Sequence, residues 1–249
     1  MNGLSVPRMP GATLLTRLKV YDSVTPDGQR GGTPHFHFLC TEMYFVLNGT
    51  GAVELIDGQG FSRIDLMPHS ALVFTPGTIH RLINPNGDLE ILVVMQNSGL
   101  PERGDNIVCF TDEWLADKER YVEAMTIKTV EDAYCRRDRG VEGFLKLKAA
   151  FETDPEKGCE ALRQIYQRAS QLGASQKDEW SAVIKDGALA DAETSMQRVE
   201  LLKENEIDYL FEAQHFLIEA KSYSTLGFCG HLDRYFDPAT LMPEGFRQG

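Results

Sequence analysis

Three histidines and one glutamate carry the clearest chemical pattern in this sequence. His35 and His37 stand two apart, four residues separate His37 from Glu42, and His80 lies further along the chain. In a β-strand successive side chains alternate between faces, so His35 and His37 would share one. Glu42 opens the apolar run Met43-Tyr44-Phe45-Val46-Leu47, which Asn48-Gly49 closes with turn chemistry. His80 follows a Pro76-Gly77 turn and leads a second apolar segment. Three imidazoles and a carboxylate form a borderline-to-hard donor set that suits a divalent iron, manganese, nickel, copper or zinc ion.

The elements that must position these groups read as short strands. Ala12–Val20 is the first, and a Pro/Gly/Asp-rich loop from Thr25 to Pro34 delivers the His-x-His strand. Further strands are expected over Ala52–Ile56, Phe61–Leu66, Ala71–Phe74, the His80 segment, Leu89–Gln96 and Asp105–Phe110. Such strands, punctuated by Gly, Pro and Asn turns, predict an antiparallel sandwich or barrel. Phase then assigns faces. With Glu42 inward, Tyr44 and Val46 point inward too, which makes Tyr44 a candidate to touch the metal ligands or a substrate. With His80 inward, Thr78, Leu82 and Asn84 follow it and Arg81 points away. Phe36, Phe38, Met43, Phe45 and Leu47 fall on the outer face. A solvated outer face would alternate to polar residues, so either the C-terminal region or a second copy of the chain should cover this one.

The same residues resemble the cupin superfamily. Its first motif is matched by His35-Phe36-His37, four residues, Glu42, six residues and Gly49. Its second is matched by Gly77, two residues, His80, three residues and Asn84. Gln29 stands where the family has a leading Gly, Thr75 replaces the motif proline ahead of Pro76, and His69 occupies a turn where Gly is usual. The resemblance spans roughly residues 12–110. It implies a cupin-type jelly-roll β-barrel holding one metal ion on His35, His37, Glu42 and His80, with Fe(II) favoured and Mn, Ni, Zn or Cu as alternatives. The family contains oxygenases, isomerases, lyases and non-catalytic binding proteins, and its barrels often pair through their sheets, so a homodimer is expected.

Beyond residue 111 the apolar period changes from two to near 3.6. Helices are expected over Asp112–Met125, from a Thr129 capping box to about Phe151 with Gly140 as a possible break, from Asp154-Pro155 to Gly173, and over Met196–Lys221. The last of these would show one apolar stripe through Ile207, Leu210, Phe211, Gln214, Leu217 and Ile218. The stretch Gly227–Pro238 reads as an ordered, non-helical tail. Its Cys229 and His231 have no partners at ligand spacing, His69 reads as a solvated turn residue, and His215 flanks the stripe of the last helix. The division expected is a barrel over 1–110 and a helical extension with that tail over 111–249.

Charge and cysteine usage exclude several partner classes. The net charge is −12, with 7 basic and 10 acidic side chains in residues 1–110 and 18 and 27 in the rest. That balance argues against nucleic acid and anionic membrane surfaces. Five cysteines, an odd number without close pairing, suit reduced thiols in a cytoplasm. No apolar run reaches the roughly 18 residues a membrane helix needs. The functional expectation is a metal-dependent enzyme acting on a small molecule, an oxygenase ahead of an isomerase or lyase, with a non-catalytic small-molecule-binding protein as the third reading.

Overall fold

A computed structural model describes residues 9–220 and 222–235. The expected β architecture is present. Nine strands come first: β1 Leu14–Val20, β2 His35–His37, β3 Glu42–Asn48, β4 Gly51–Asp57, β5 Gly60–Leu66, β6 Ala71–Phe74, β7 Ile79–Ile83, β8 Glu90–Met95 and β9 Asn106–Val108. Six helices follow: α1 Asp112–Leu115, α2 Lys118–Met125, α3 Val130–Thr153, α4 Pro155–Leu172, α5 Lys177–Ile184 and α6 Ala190–Lys203. Two last strands, β10 Ser222–Leu226 and β11 Gly230–Arg234, close the described chain.

The strands form two facing antiparallel sheets, ordered β10-β11-β1-β8-β3-β6 and β5-β4-β7-β2-β9. Strands β1, β3 and β8 alternate buried and partly exposed residues, so one face of their sheet looks into the barrel and the other outward. Strand β7 is buried at every position. It needs cover on both sides, and the helices supply the second.

Two apolar clusters follow from that layering. Inside the barrel, Leu18, Val46, Val53, Leu82 and Ile91 pack together. Between the second sheet and the helices lie Phe36, Ile56, Ile79, Phe110, Phe144 and Leu162. Each such fully buried side chain contributes about 2–3 kcal/mol of transfer free energy. Phe36 meets Tyr166 of α4, with ring centroids 5.1 Å apart, and Phe38 meets Trp180 of α5 at 6.0 Å. The helices therefore cover the outer face of β2. They leave the outer face of the other sheet partly open, where Leu47 is 38% exposed and Val73 57%.

Helix α3 begins at the expected capping box, Thr129 and Asp132 each accepting the other's backbone N–H. Gly140 does not interrupt it. A Cβ at Gly140 would crowd Val108, and one at Gly143 would overlap the Cys109 carbonyl, so the two glycines let α3 sit directly on the β9 segment. Asp154 caps α4 through the Glu156 N–H.

Two helical expectations are corrected. Asp112–Met125 is two helices, because Asp117 accepts from the Glu119 and Arg120 N–H groups and starts α2 afresh. The helix expected over Met196–Lys221 ends at Lys203. Asn205 takes a left-handed conformation (φ 58), the Glu206 N–H reaches back to the Leu201 carbonyl and the Asn205 N–H to that of Leu202, which is a Schellman stop. Beyond it Leu210, Phe211 and Leu217 are exposed and form no buried stripe; Lys221 lies outside the described residues.

The tail is non-helical, as expected, as far as it is described; Phe236, Asp237 and Pro238 lie outside. Strand β11 pairs antiparallel with β1, Leu18 opposite Leu232, so the chain returns after its helices to extend the first barrel sheet. Arg17 ties this edge together through ion pairs with Glu90 on β8 and Asp233 on β11.

Candidate metal centre

Strand pairing assembles the four expected ligands. His35 is directly opposite His80 across β2 and β7, and its Nε2 lies 3.2 Å from that of His80. His37 shares the inward face of β2, and Glu42 enters from the first residue of β3 on the facing sheet. Glu42 Oε2 is 3.4 Å from His37 Nε2 and 3.3 Å from His80 Nε2. One donor atom from each of the four residues falls within 4.8 Å of the others, and all four side chains are buried. Together they could hold one metal ion.

The surroundings fit that group. His35 Nδ1 meets the Thr33 carbonyl at 2.8 Å and His80 Nδ1 the Thr78 carbonyl at 3.0 Å. His37 Nδ1 lies 3.1 Å from Asp105 Oδ2. Each ring thereby has an acceptor on its far nitrogen, which places the proton on Nδ1 and turns the Nε2 lone pair toward the common centre. His37 Nε2 and Glu42 Oε2 are buried without a hydrogen-bond partner. Buried polar atoms without partners are rare and costly. Two of them facing one point are what a cation would satisfy. Its charge would also offset the paired carboxylates of Glu42 and Asp105.

The protonation pattern has the same origin. Burial lowers the His35 pKa well below the ordinary value, with repulsion from His80 and His37 adding to it, and lowers that of His80 to about 4. For His37 burial acts in the same sense, but the bond to Asp105 and the nearby charges of Asp105 and Glu42 outweigh it and raise the pKa to about 9.

A cavity of about 540 Å³ extends from this cluster, within the size range of small-molecule sites. Leu14, Leu18, Val93, Met95 and Ile107 give it an apolar wall. Tyr44 lines it where expected, its ring edge-on to His80 at 6.0 Å, and burial together with the Glu42 charge holds its phenol well above the usual tyrosine range. Helix α2 contributes Tyr121, α3 contributes Arg136, and the β10–β11 turn contributes Phe228 and Cys229.

Sequence reasoning missed Asp105, Tyr121, Arg136 and Phe228. Cys229, which it had set aside, places its Sγ 3.9 Å from His35 Nδ1. That nitrogen already faces the Thr33 carbonyl, so Cys229 stands beside the cluster and outside it. His69 lies exposed in a left-handed turn, His215 is exposed, and His231 packs edge-on to Tyr21.

Residues 23–95 match the family model described as the cupin domain, and the two-sheet barrel that contains them is a cupin barrel. Among solved structures the chain is similar to WlaRA, a TDP-fucose-3,4-ketoisomerase from Campylobacter jejuni, at 18% identity over 34% of this chain and 58% of that one, with a TM-score of 0.28. It is also similar to KdgF from Halomonas sp. (22% identity, 36% and 72% covered, TM-score 0.27) and to the DMSP lyase DddQ from Ruegeria pomeroyi DSS-3 (20%, 33% and 38%, 0.26). The chain thus spans a little over half the length of the ketoisomerase. No curated protein matches it. No helix among the described residues is long and apolar enough to cross a membrane.

Proposed function

We propose that the protein is a metal-dependent enzyme acting on a small organic molecule held in this cavity, and that its reaction is an oxygenation. The observation that carries the metal dependence is the convergence of His35, His37, Glu42 and His80, with two buried atoms left unpartnered at the inner end of a ligand-sized cavity. A redox-active divalent ion held there, Fe(II) before Mn or Cu, would supply one-electron chemistry with dioxygen, whereas Zn or Ni would supply Lewis acidity.

The protein's own part is binding, orientation and exclusion of water. The apolar wall desolvates the bound molecule, and the backbone carbonyls of Thr33 and Thr78 fix the imidazoles. What separates oxygenation from isomerisation or elimination is proton transfer. The latter reactions need a base poised near neutral pH. Tyr44 is held protonated, and burial with the Glu42 charge pushes the Cys229 thiol up to about 12. Without the charge of a bound cation beside them, neither is such a base. The isomerase or lyase reading keeps one specific support: Tyr44 stands beside Glu42 and is the group that would have to move a proton.

Dioxygen uptake by the Fe(II)-loaded protein, scanned over catechols, diketones and thiols, tests the proposal. Uptake stoichiometric with loss of one substrate is expected. Turnover without oxygen consumption, accompanied by deuterium exchange from solvent, would establish the isomerase or lyase instead. Binding without turnover of any substrate would leave the protein a non-catalytic binder.

A further inference from the structure

Four arginines are buried among the described residues: Arg81, Arg103, Arg136 and Arg137. Three have carboxylates. Arg81 pairs with Asp27 and Glu54, Arg103 with Glu179, and Arg137 with Asp138. Arg136 has none. It is 3% exposed and makes one hydrogen bond, from Nη2 to the Gly227 carbonyl at 2.7 Å. Its guanidinium carbon lies 4.5 Å above the Phe228 ring, and its Nε is buried without a partner. A guanidinium stays charged under all ordinary conditions, so it cannot escape burial by losing its proton.

Arg136 also lines the cavity that ends at the metal cluster. Tyr121 lines it too, and its hydroxyl proton finds no acceptor among the described residues. Ile107, Val122, Phe228 and Leu232 give that cavity apolar wall, and Glu102, Lys118 and Arg234 also line it. A buried guanidinium with an unpartnered Nε–H and no carboxylate, lining the same cavity as a phenol with no acceptor, is chemistry that suits an anion.

We propose that Arg136 binds a carboxylate of the substrate, so that the cavity takes a small carboxylic acid with a compact apolar body and presents the far end of that molecule to His35, His37, Glu42 and His80. The proposal rests on the reading of this cavity as the substrate site. A planar guanidinium fork matches a carboxylate in two parallel N–H···O bonds. Arg136 is the buried one of the three cations that line the cavity, and it meets one negative charge, which favours a carboxylate over a phosphate dianion. Arg136 is brought here by Gly140 and Gly143, which seat α3 on β9, and is held in orientation by Gly227 and Phe228 of the hairpin turn. Barrel, helices and returning hairpin meet at this one side chain.

The test is calorimetric binding of benzoate, butanoate, their neutral amides and inorganic phosphate to the full chain, Zn(II)-loaded and metal-stripped. Each carboxylate should bind at least ten times more tightly than its amide in both forms, and more tightly than phosphate. Arg136→Gln should bring the carboxylates to the affinity of the amides without changing amide binding, and Arg136→Lys should restore part of the preference. A preference that vanishes when the metal is stripped puts the carboxylate on the metal and overturns the proposal. So does equal binding of acid and amide by the unaltered protein, tighter binding of phosphate, no measurable carboxylate binding, or a preference that survives Arg136→Gln. If Arg136→Gln does not fold, the Arg136 Nε–H resonance in the unaltered protein decides: it must shift on adding benzoate, and an unmoved signal refutes the contact. Should the chain bind no metal yet discriminate acid from amide through Arg136, the metal reading fails and the anion site stands.

Discussion

Asp105 should control metal affinity without touching the metal. It is fully buried just before β9, and its two oxygens do different work. Oδ2 faces His37 Nδ1 at 3.1 Å, and Oδ1 accepts the Leu39 N–H at 2.8 Å. Asp105→Asn keeps the size and one acceptor but removes the charge. A hydrogen bond to a charged group contributes about 1.5–3 kcal/mol and a neutral one about 0.5–1.5, so the change weakens the hold on His37 by about 1–1.5 kcal/mol, or roughly tenfold in metal affinity. Asp105→Ala removes both acceptors, frees the imidazole to turn, and should cost about 100-fold, the upper end for loss of such a supporting partner. It should also destabilise the fold by about 1–3 kcal/mol through the orphaned Leu39 N–H. The assay is competition with a fluorescent chelator for Zn(II), with Co(II) absorption reporting whether the donor set survives. If Asp105→Ala binds Zn(II) within threefold of the unaltered protein, His37 is not oriented by Asp105, and the account of how the cluster is pre-shaped is wrong.

His37→Ala and His80→Ala should each lose most of the bound metal, read by elemental analysis, while the barrel core keeps the far-UV spectrum; full metal content in both variants would refute the ligand assignment. Cys229→Ala should retain metal, because its sulfur faces a nitrogen already directed at Thr33, and loss of metal there would place the hairpin among the ligands. Burial pushes the Asp27 carboxyl up, but its bonds to Arg81 and Thr25 outweigh this and hold it well below the usual carboxylate range. A depressed folded-state pKa stabilises above the unfolded value of about 4 and ceases to do so as pH falls through the folded one. Asp27→Asn should therefore lower Tm by about 5–10 °C at pH 7, with the gap to the unaltered protein narrowing below pH 4, and a gap independent of pH would refute the pairing. The partly open outer face around Met43, Phe45, Leu47 and Val73 leads us to propose a homodimer, which light scattering at micromolar concentration would show by mass; a monomer would leave that face without a partner.

The four-residue cluster was legible in two ways: strand periodicity is local, and the resemblance to the two cupin motifs joined Glu42 and the distant His80 to His35 and His37. A two-residue spacing puts His35 and His37 on one face, and the same parity puts Tyr44 with Glu42, whatever the rest of the chain does. The supporting groups were not legible for the opposite reason. Asp105 opens the segment read as a last strand, Asp105–Phe110, and nothing near it points to His37, 68 residues away. Arg136 and Arg137 stand side by side in a helix, where adjacent arginines read as a solvated face. Their burial depends on how closely α3 approaches β9, which Gly140 and Gly143 decide, and a helical glycine in sequence looks like a break as readily as a contact. The helix expected beyond Lys203 is a case of periodicity without packing. The apolar spacing is present, but Asn205 stops the helix before Ile207 and no described surface receives the stripe.

The return of the hairpin changes what the helices are for. Because β11 pairs with β1, the six helices are inserted between barrel strands, and both ends of the insertion are fixed by the sheets. Helices α1 and α2 leave directly from β9, the strand that pairs with His35 and His37, and α3 crosses back over it. A barrel alone would present its metal cluster at the floor of an open mouth. Here α2, α3 and the hairpin turn narrow that mouth to a cavity and place Tyr121, Arg136 and Phe228 on its wall. Among the described residues, the insertion adds no side chain to the cluster that could hold a metal ion. Under the proposed function the barrel supplies the reactive centre, while the insertion and the hairpin select what reaches it. Substitutions in α2, α3 or the Gly227–Gly230 turn should change substrate choice far more than metal content.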